Sequence, residues 1–325
     1  MASAYRHRPG AHCGSTALRN LSAHHGWALD EAACFGLGAG IGFSYVDGGP
    51  ADRLLMGRSA HLEPAFFDHL GIPVTRAMGQ DRQAAWDALA SRVADGPVIV
   101  FVDLGYLPYF DTDTHFGPHT ILAVDVAEDA VTVSDSEFDD LQTVDRDAFD
   151  RAWSSEKGFG PLERRWLAVD DPTPTVPVES ATREAIDLAA RTMLGGGEGW
   201  GSQGVAGIRA LADALPDWND LPDPQWTARF AYQNIERRGT GGGAFRLLFA
   251  DFLDTLGVAA GFEARLAEHA VAIADDWTTV GMTLRLASEG NDPAERAKRF
   301  ETASQQVAAI ADEEERLFEA LDAAV

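Results

Sequence analysis

At residues 170–177 the chain reads Asp-Asp-Pro-Thr-Pro-Thr-Val-Pro, and no other stretch constrains the fold as much. Proline removes backbone donors and holds the residue before it extended, so neither a helix nor a sheet interior passes through such a run. A domain boundary belongs there, and the apolar pattern changes across it. Upstream are short β-rich runs: VIVFVD at 98–103, HTILAVDV and AVTVSD separated by a turn at Glu128-Asp129, and RRWLAV at 164–169. The middle two read as a hairpin. Downstream, apolar residues recur at helical spacing. Val205, Ile208, Leu211, Ala212 and Leu215 mark one helix, and Phe245, Leu248, Phe249, Phe252 and Leu256 another. A last helix carries Phe300, Ala303, Val307, Ile310, Leu317 and Leu321, a stripe interrupted by Glu314. The expectation is an α+β domain over 1–172 followed by an all-helical domain over 178–325.

Within the first half, residues 15–25 read as a short helix that Ser15 and Thr16 can cap and Gly26 stops. Cys13 then sits at a helix N-terminus, where unpaired N–H groups and the dipole favour a thiolate. Residues 84–95 place Trp86, Leu89, Ala90 and Val93 on one face and end at Gly96-Pro97, a second helix and its stop. The segment FGLGAGIGFSY at 35–45 alternates four glycines, as a flexible loop or a closely approached strand would. It matches neither GxGxxG nor a phosphate loop, so it does not argue for a nucleotide.

Composition narrows the function classes. The 325 residues carry 51 acidic and 26 basic side chains, a net charge of -25. A chain this acidic is no nucleic-acid partner. The acids are spread along the whole sequence, as on the solvated, self-repelling surfaces of halophilic proteins, although a cationic substrate would be drawn to the same field. No 18-residue apolar run occurs, and MASAYRHRPGAHCG lacks a secretory apolar core, so no membrane partner and a cytoplasmic location are expected. Two cysteines, Cys13 and Cys34, build no disulfide framework.

Thiol acyl transfer needs a thiolate, a base that carries its proton, and an acceptor that orients the base. Cys13 supplies the first. His119 opens a strand just after Gly117-Pro118, and Asp135 ends the partner strand, so a hairpin can return the carboxylate to the imidazole. The oxyanion would be met by the Cys13 backbone N–H and by a side chain upstream, His7 or His12. Each residue also fits a plainer role as buried filler, satisfied polar group or turn former. Asp111, Asp113, His115 and His119 cluster in sequence, but Gly117-Pro118 forbids the helix that would align the two histidines, and no metal site is expected.

The stretch HRPGAHCGSTALRNLSAHHGWALDEAACFGLGAGIGFSY resembles the N-terminal domain of the butirosin biosynthesis protein H family. GSQGVAGIRALADALPDW and NIERRGTGGGAFRLLFADFL resemble the helical domain of unknown function that follows it there. The resemblance implies a papain-like cysteine-nucleophile domain with Cys13, His119 in GPHTILAVD and Asp135 in VTVSDSE as its triad. It implies an acyltransferase that moves an acyl or aminoacyl group from a carrier-protein or coenzyme A thioester, through S-acyl Cys13, to an amine. No cofactor is implied beyond the phosphopantetheine of the donor. The implied partners are an acyl carrier protein and a small-molecule amine; homo-oligomerisation stays open. Papain-like peptidases carry an oxyanion Gln upstream of the cysteine, whereas this chain has His7 there. A peptidase or amidase with the same triad, and a non-catalytic binding protein on the same scaffold, are the alternative readings.

Overall fold

The computed structural model describes residues 5–49, 51–195 and 201–325. The sequence at 195–204, rich in glycine, therefore lies partly outside the described residues. The chain opens with α1 (Cys13–His25) and α2 (Glu31–Leu37), then the antiparallel pair β1 (Ile41–Asp47) and β2 (Arg53–Arg58). Next come α3 (Leu62–Leu70), β3 (Val74–Ala77), α4 (Arg82–Asp95) and β4 (Val98–Val102). The hairpin β5 (His119–Val126) and β6 (Ala130–Ser134) precedes β7 (Gln142–Asp145), α5 (Arg146–Trp153) and β8 (Trp166–Val169). Then follow α6 (Val178–Gly195), β9 (Ser202–Gln203), α7 (Gly204–Ala214) and α8 (Pro224–Glu236). The chain ends with α9 (Arg246–Phe252), α10 (Ala264–Glu289) and α11 (Pro293–Asp322).

Aspartates start several of these helices. Asp81, Asp145 and Asp223 accept the N–H three residues on at 3.0, 2.9 and 3.0 Å, and Asp292 accepts that of Ala294 at 2.9 Å. Part of the acidic excess thus satisfies donors that a helix start leaves open, at about 1 kcal/mol per cap.

Two compact units result, and the chain passes between them repeatedly: one comprises 1–34 and 70–175, the other 35–69 and 176–325. Residues 35–69, which the sequence assigns to the first domain, belong to the second unit. A linear reading places a segment with its neighbours, whereas burial places it with whatever covers its apolar face.

The first unit is an antiparallel six-stranded sheet in the order β3-β8-β4-β5-β6-β7. A core cluster in it joins Trp86 of α4 and Phe149 and Trp153 of α5 to Val98, Val100, Ile121, Val131 and Val133 of the sheet. The Trp86 indole N–H donates to Asp150 at 3.0 Å, so the buried ring keeps a polar partner. The expected hairpin is present as β5 and β6, with Leu122 opposite Ser134.

The second unit is helical, with a small sheet of order β2-β1-β9. Strand β9 departs from the all-helical expectation for 178–325: Ser202 and Gln203 pair with Tyr45 and Ser44, and Ser44 Oγ donates to Gln203 at 2.7 Å. The glycines of 35–45 serve close packing here. A side chain at Gly36 would collide with the Phe252 ring, and one at Gly42 would reach 2.8 Å from the Ser59 backbone. Glu314, the break in the α11 stripe, is fully buried and pairs with Arg246 Nε at 2.6 Å. Arg246 follows a left-handed run, with φ of 68°, 96°, 54°, 51° and 72° at Gly241, Gly242, Gly243, Ala244 and Phe245. For the last two residues that conformation costs roughly 1–2 kcal/mol each. The run aims three carbonyl contacts at one guanidinium: Arg246 Nη1 donates to Gly42, Gly57 and Ala244 oxygens at 3.2, 2.9 and 2.7 Å.

Candidate active site

The site begins at the start of α1. His12 is the N-cap: its Nδ1 accepts the Ser15 N–H at 3.3 Å, and Cys13 is the first helical residue. The helix thus starts two residues before the expected position, and the Cys13 N–H is among those a helix leaves without an internal partner. The approach to the cap is tied down from several sides. Glu31, at the start of α2, accepts the Ala11 and His12 N–H groups at 3.0 and 2.8 Å and the Thr16 hydroxyl at 3.0 Å. Arg19 Nη2 holds the Pro9 carbonyl at 3.1 Å, Asn20 the Arg8 carbonyl at 3.0 Å, and the Gly10 N–H donates to Ser136 at 3.0 Å.

Across from it, β5 and β6 carry the other two residues. His119, the first residue of β5, directs Nε2 to Asp135 Oδ2 at 2.9 Å. Both side chains are buried. The His119 and His12 rings lie beside the Cys13 thiol and act on its charge. With Nε2 engaged by the carboxylate, Nδ1 is the His119 nitrogen left for sulfur. The fold therefore brings Cys13, His119 and Asp135 into one chain of contacts, and the partly exposed Cys13 stays reachable while Cys34 is buried.

The surroundings drive the groups toward an ion pair. Burial alone would raise the Cys13 thiol, yet the His12 and His119 rings beside it hold it well below its ordinary value. Burial likewise works against the His119 cation, but the Asp135 carboxylate outweighs it and raises His119 well above the usual imidazole range. Asp135 resists its own desolvation because His119, the Glu137 N–H and the Tyr109 hydroxyl all favour the charged form, so its carboxyl is lowered. Opposite charges and hydrogen bonds to the ionised states thus outweigh burial at all three groups. Both shifts favour a thiolate beside an imidazolium. The buried Cys34 thiol is pushed the other way by desolvation and by Asp30.

His7, one of the two expected oxyanion donors, has both ring nitrogens engaged away from Cys13. Its Nε2 meets the Phe138 carbonyl at 2.7 Å and its Nδ1 meets Ser134 Oγ at 2.8 Å. A carbonyl only accepts, so the proton sits on Nε2 and both nitrogens are spent. His12 remains beside the sulfur. His115 and His119 do not converge: His115 Nδ1 contacts Asp103 at 2.8 Å and its Nε2 contacts Lys157 Nζ at 2.9 Å. Among the described residues no cluster of three metal-ligating side chains occurs. Nor is any of their helices long and apolar enough to cross a membrane.

Sequence reasoning missed Glu31, Arg19 and Tyr109. An Arg-Asn pair inside a short helix next to an unexplained Glu was the available signal for the first two; Tyr109 left none.

Two family models match the chain. Residues 12–136 match butirosin biosynthesis protein H, N-terminal, and residues 147–321 match a domain of unknown function, DUF4872. The second match begins inside the six-stranded sheet unit and takes in α5 and β8. No curated protein matches the chain.

Proposed function

The chain belongs to the family in which a butirosin biosynthesis protein H N-terminal segment precedes DUF4872, and on that premise we propose that it is a cysteine-dependent acyltransferase. The observation that carries this reading is Cys13 at a helix N-terminus beside an imidazole that Asp135 holds at 2.9 Å. The Cys13 thiolate attacks the carbonyl carbon of a thioester donor, a phosphopantetheine thioester on an acyl carrier protein or on coenzyme A. The C–S bond to the donor breaks, and the His119 imidazolium gives its proton to the departing sulfur. An amine then attacks S-acyl Cys13, His119 takes the proton the amine loses, and the amide leaves with Cys13 regenerated as thiolate. The Cys13 N–H and the His12 ring are the oxyanion donors of this reading.

The test is mass spectrometry of the protein after exposure to a panel of acyl-carrier and coenzyme A thioesters. An acyl adduct on the peptide containing Cys13, lost in Cys13→Ala and discharged faster by an amine than by water, is the expected result. Discharge by water at the same rate makes the protein a hydrolase, and turnover surviving in Cys13→Ala rules out the covalent route.

A further inference from the structure

One partly buried tyrosine hydroxyl touches the proposed machinery without having a part in the chemistry above. The segment between β4 and β5 makes two short turns, Leu104–Tyr106 and Pro108–Phe110. Asp103, fully buried, gathers both ends: its Oδ1 accepts the Gly105 and Phe116 N–H groups at 3.0 and 3.1 Å. Its Oδ2 accepts Ser155 Oγ at 2.7 Å and faces His115 Nδ1 at 2.8 Å. Held this way, the loop sets the Phe110 ring edge-on to His119, with centroids 5.5 Å apart, and packs Tyr109 edge-on to Phe138 at 5.0 Å. It also directs the Tyr109 hydroxyl to Asp135 Oδ2 at 2.9 Å. That oxygen is the one that accepts from His119 Nε2, so two donors share it. Burial, and then the Asp135 charge, push the Tyr109 phenol far up, which keeps it an O–H donor.

We propose that Tyr109 is a positioning residue that sets the basicity of Asp135 and, through that carboxylate, how tightly His119 holds its proton. The O–H draws negative charge from Oδ2, so the carboxylate pulls less strongly on the imidazolium. His119 is then basic enough to ionise Cys13 yet acidic enough to release its proton to a departing thiolate. Among the described residues, the ionisable groups that face the pair are Cys13 and His12 from the start of α1, Tyr109 from the loop, and Glu137 just past β6. Of these, Tyr109 alone donates to Asp135 Oδ2; Glu137 reaches Oδ1 through its backbone N–H at 3.2 Å. The catalytic consequence rests on the acyl-transfer reading, whereas the proton affinity of His119 does not.

The experiment measures two quantities on the full chain across pH: iodoacetamide alkylation of Cys13, resolved from Cys34 by peptide mapping, and the NMR titration of the His119 ring. Tyr109→Phe removes the hydroxyl and keeps the ring. The alkaline limb of both curves should move to higher pH by about half a unit to one unit. Incorporating 3-fluorotyrosine at 109, a stronger donor of the same shape, should move both limbs the opposite way. Shifts of opposite sign separate a tuning role from loss of packing, and the fluorinated protein preserves the test if Tyr109→Phe does not fold. Curves that stay in place in either altered protein, or move in the same direction in both, overturn the inference. An unreactive Cys13 with the His119 shifts intact would overturn the acyl-transfer reading and leave this one standing.

Discussion

Each unit of the molecule holds a buried ionic cluster, Asp135 with His119 in one and Glu314 with Arg246 in the other, and these two differ in what their charges can do. In the sheet unit, Asp135 spends Oδ2 on His119 and Tyr109 and Oδ1 on the Glu137 N–H. In the helical unit, Glu314 Oε1 takes Arg246 Nε at 2.6 Å and the Trp277 indole N–H at 3.0 Å. There Glu314 Oε2 and Arg246 Nη2 are buried without a hydrogen-bond partner among the described residues. The cation decides the contrast. A guanidinium keeps its proton at any pH a protein tolerates, so the Arg246–Glu314 pair holds chain segments together and moves nothing. An imidazole exchanges its proton, and next to Cys13 it has something to exchange with. Burial of charge is common to both clusters; a mobile proton beside a nucleophile belongs to one.

Substitutions can break this comparison. The largest effect should come from His119→Ala, which removes the proton carrier and lowers acyl transfer about 10²- to 10⁴-fold. Asp135→Asn should cost less, because the base stays in place with its orientation disturbed. Rates of adduct formation and discharge measure both. Next comes Glu314→Ala, which strands Arg246 in the core. A loss of about 3–5 kcal/mol in urea unfolding is expected, with the pH profile of Cys13 alkylation unchanged. If that profile moves, the two clusters are not separate in role. A smaller effect sharpens the contrast from the surface: Arg209 pairs with Asp312 and Glu315 at 2.9 Å in partly exposed positions. Arg209→Ala should cost under about 1 kcal/mol and be masked by molar salt.

The sheet cluster also predicts a shape for stability against pH. Asp135, whose carboxyl is lowered by folding, contributes fully above its unfolded value near 4 and loses that contribution as pH falls through the lower folded value. His119, raised by folding, contributes fully below its unfolded value near 6.5 and loses it as pH rises through the folded value. Both are complete between about pH 4 and 6.5, and denaturation midpoints in Asp135→Asn should flatten on the acid side of that plateau.

The parts legible in the sequence are those that local pattern decides. The β5–β6 alternation and its turn specify a hairpin, and a hairpin returns Asp135 to His119 wherever the sheet sits. Gly26 and the run after Cys13 mark α1, though His12 rather than Ser15 or Thr16 proved to be the cap. Hidden from pattern were contacts between distant segments. Tyr109 lies in a loop whose path depends on Asp103 gathering Phe116 and Ser155, residues 13 and 52 positions away. His7 looked available because nothing local shows that the Phe138 carbonyl, 131 residues on, accepts its N–H. Glu314 was visible as a fault in an apolar stripe. Such a fault demands a buried cation, and the arginine after GTGGGAF was the place to look.

The interleaving of the two units has a consequence for synthesis on the ribosome. The sheet unit has all its residues once Thr175 is made, whereas residues 35–69 depend on partners near the end of the chain. Phe43 of β1 stacks on Trp277 of α10, with ring centroids 5.3 Å apart, and Gly36 fits against Phe252. At bacterial or eukaryotic elongation speeds those partners emerge on the order of tens of seconds after the segment that needs them. Until then Phe35, Phe43, Phe66 and Phe67, all buried in the finished protein, wait as an apolar loop on a domain that is otherwise ready to fold. A nascent chain stalled or cut after residue 175 would keep that loop uncovered.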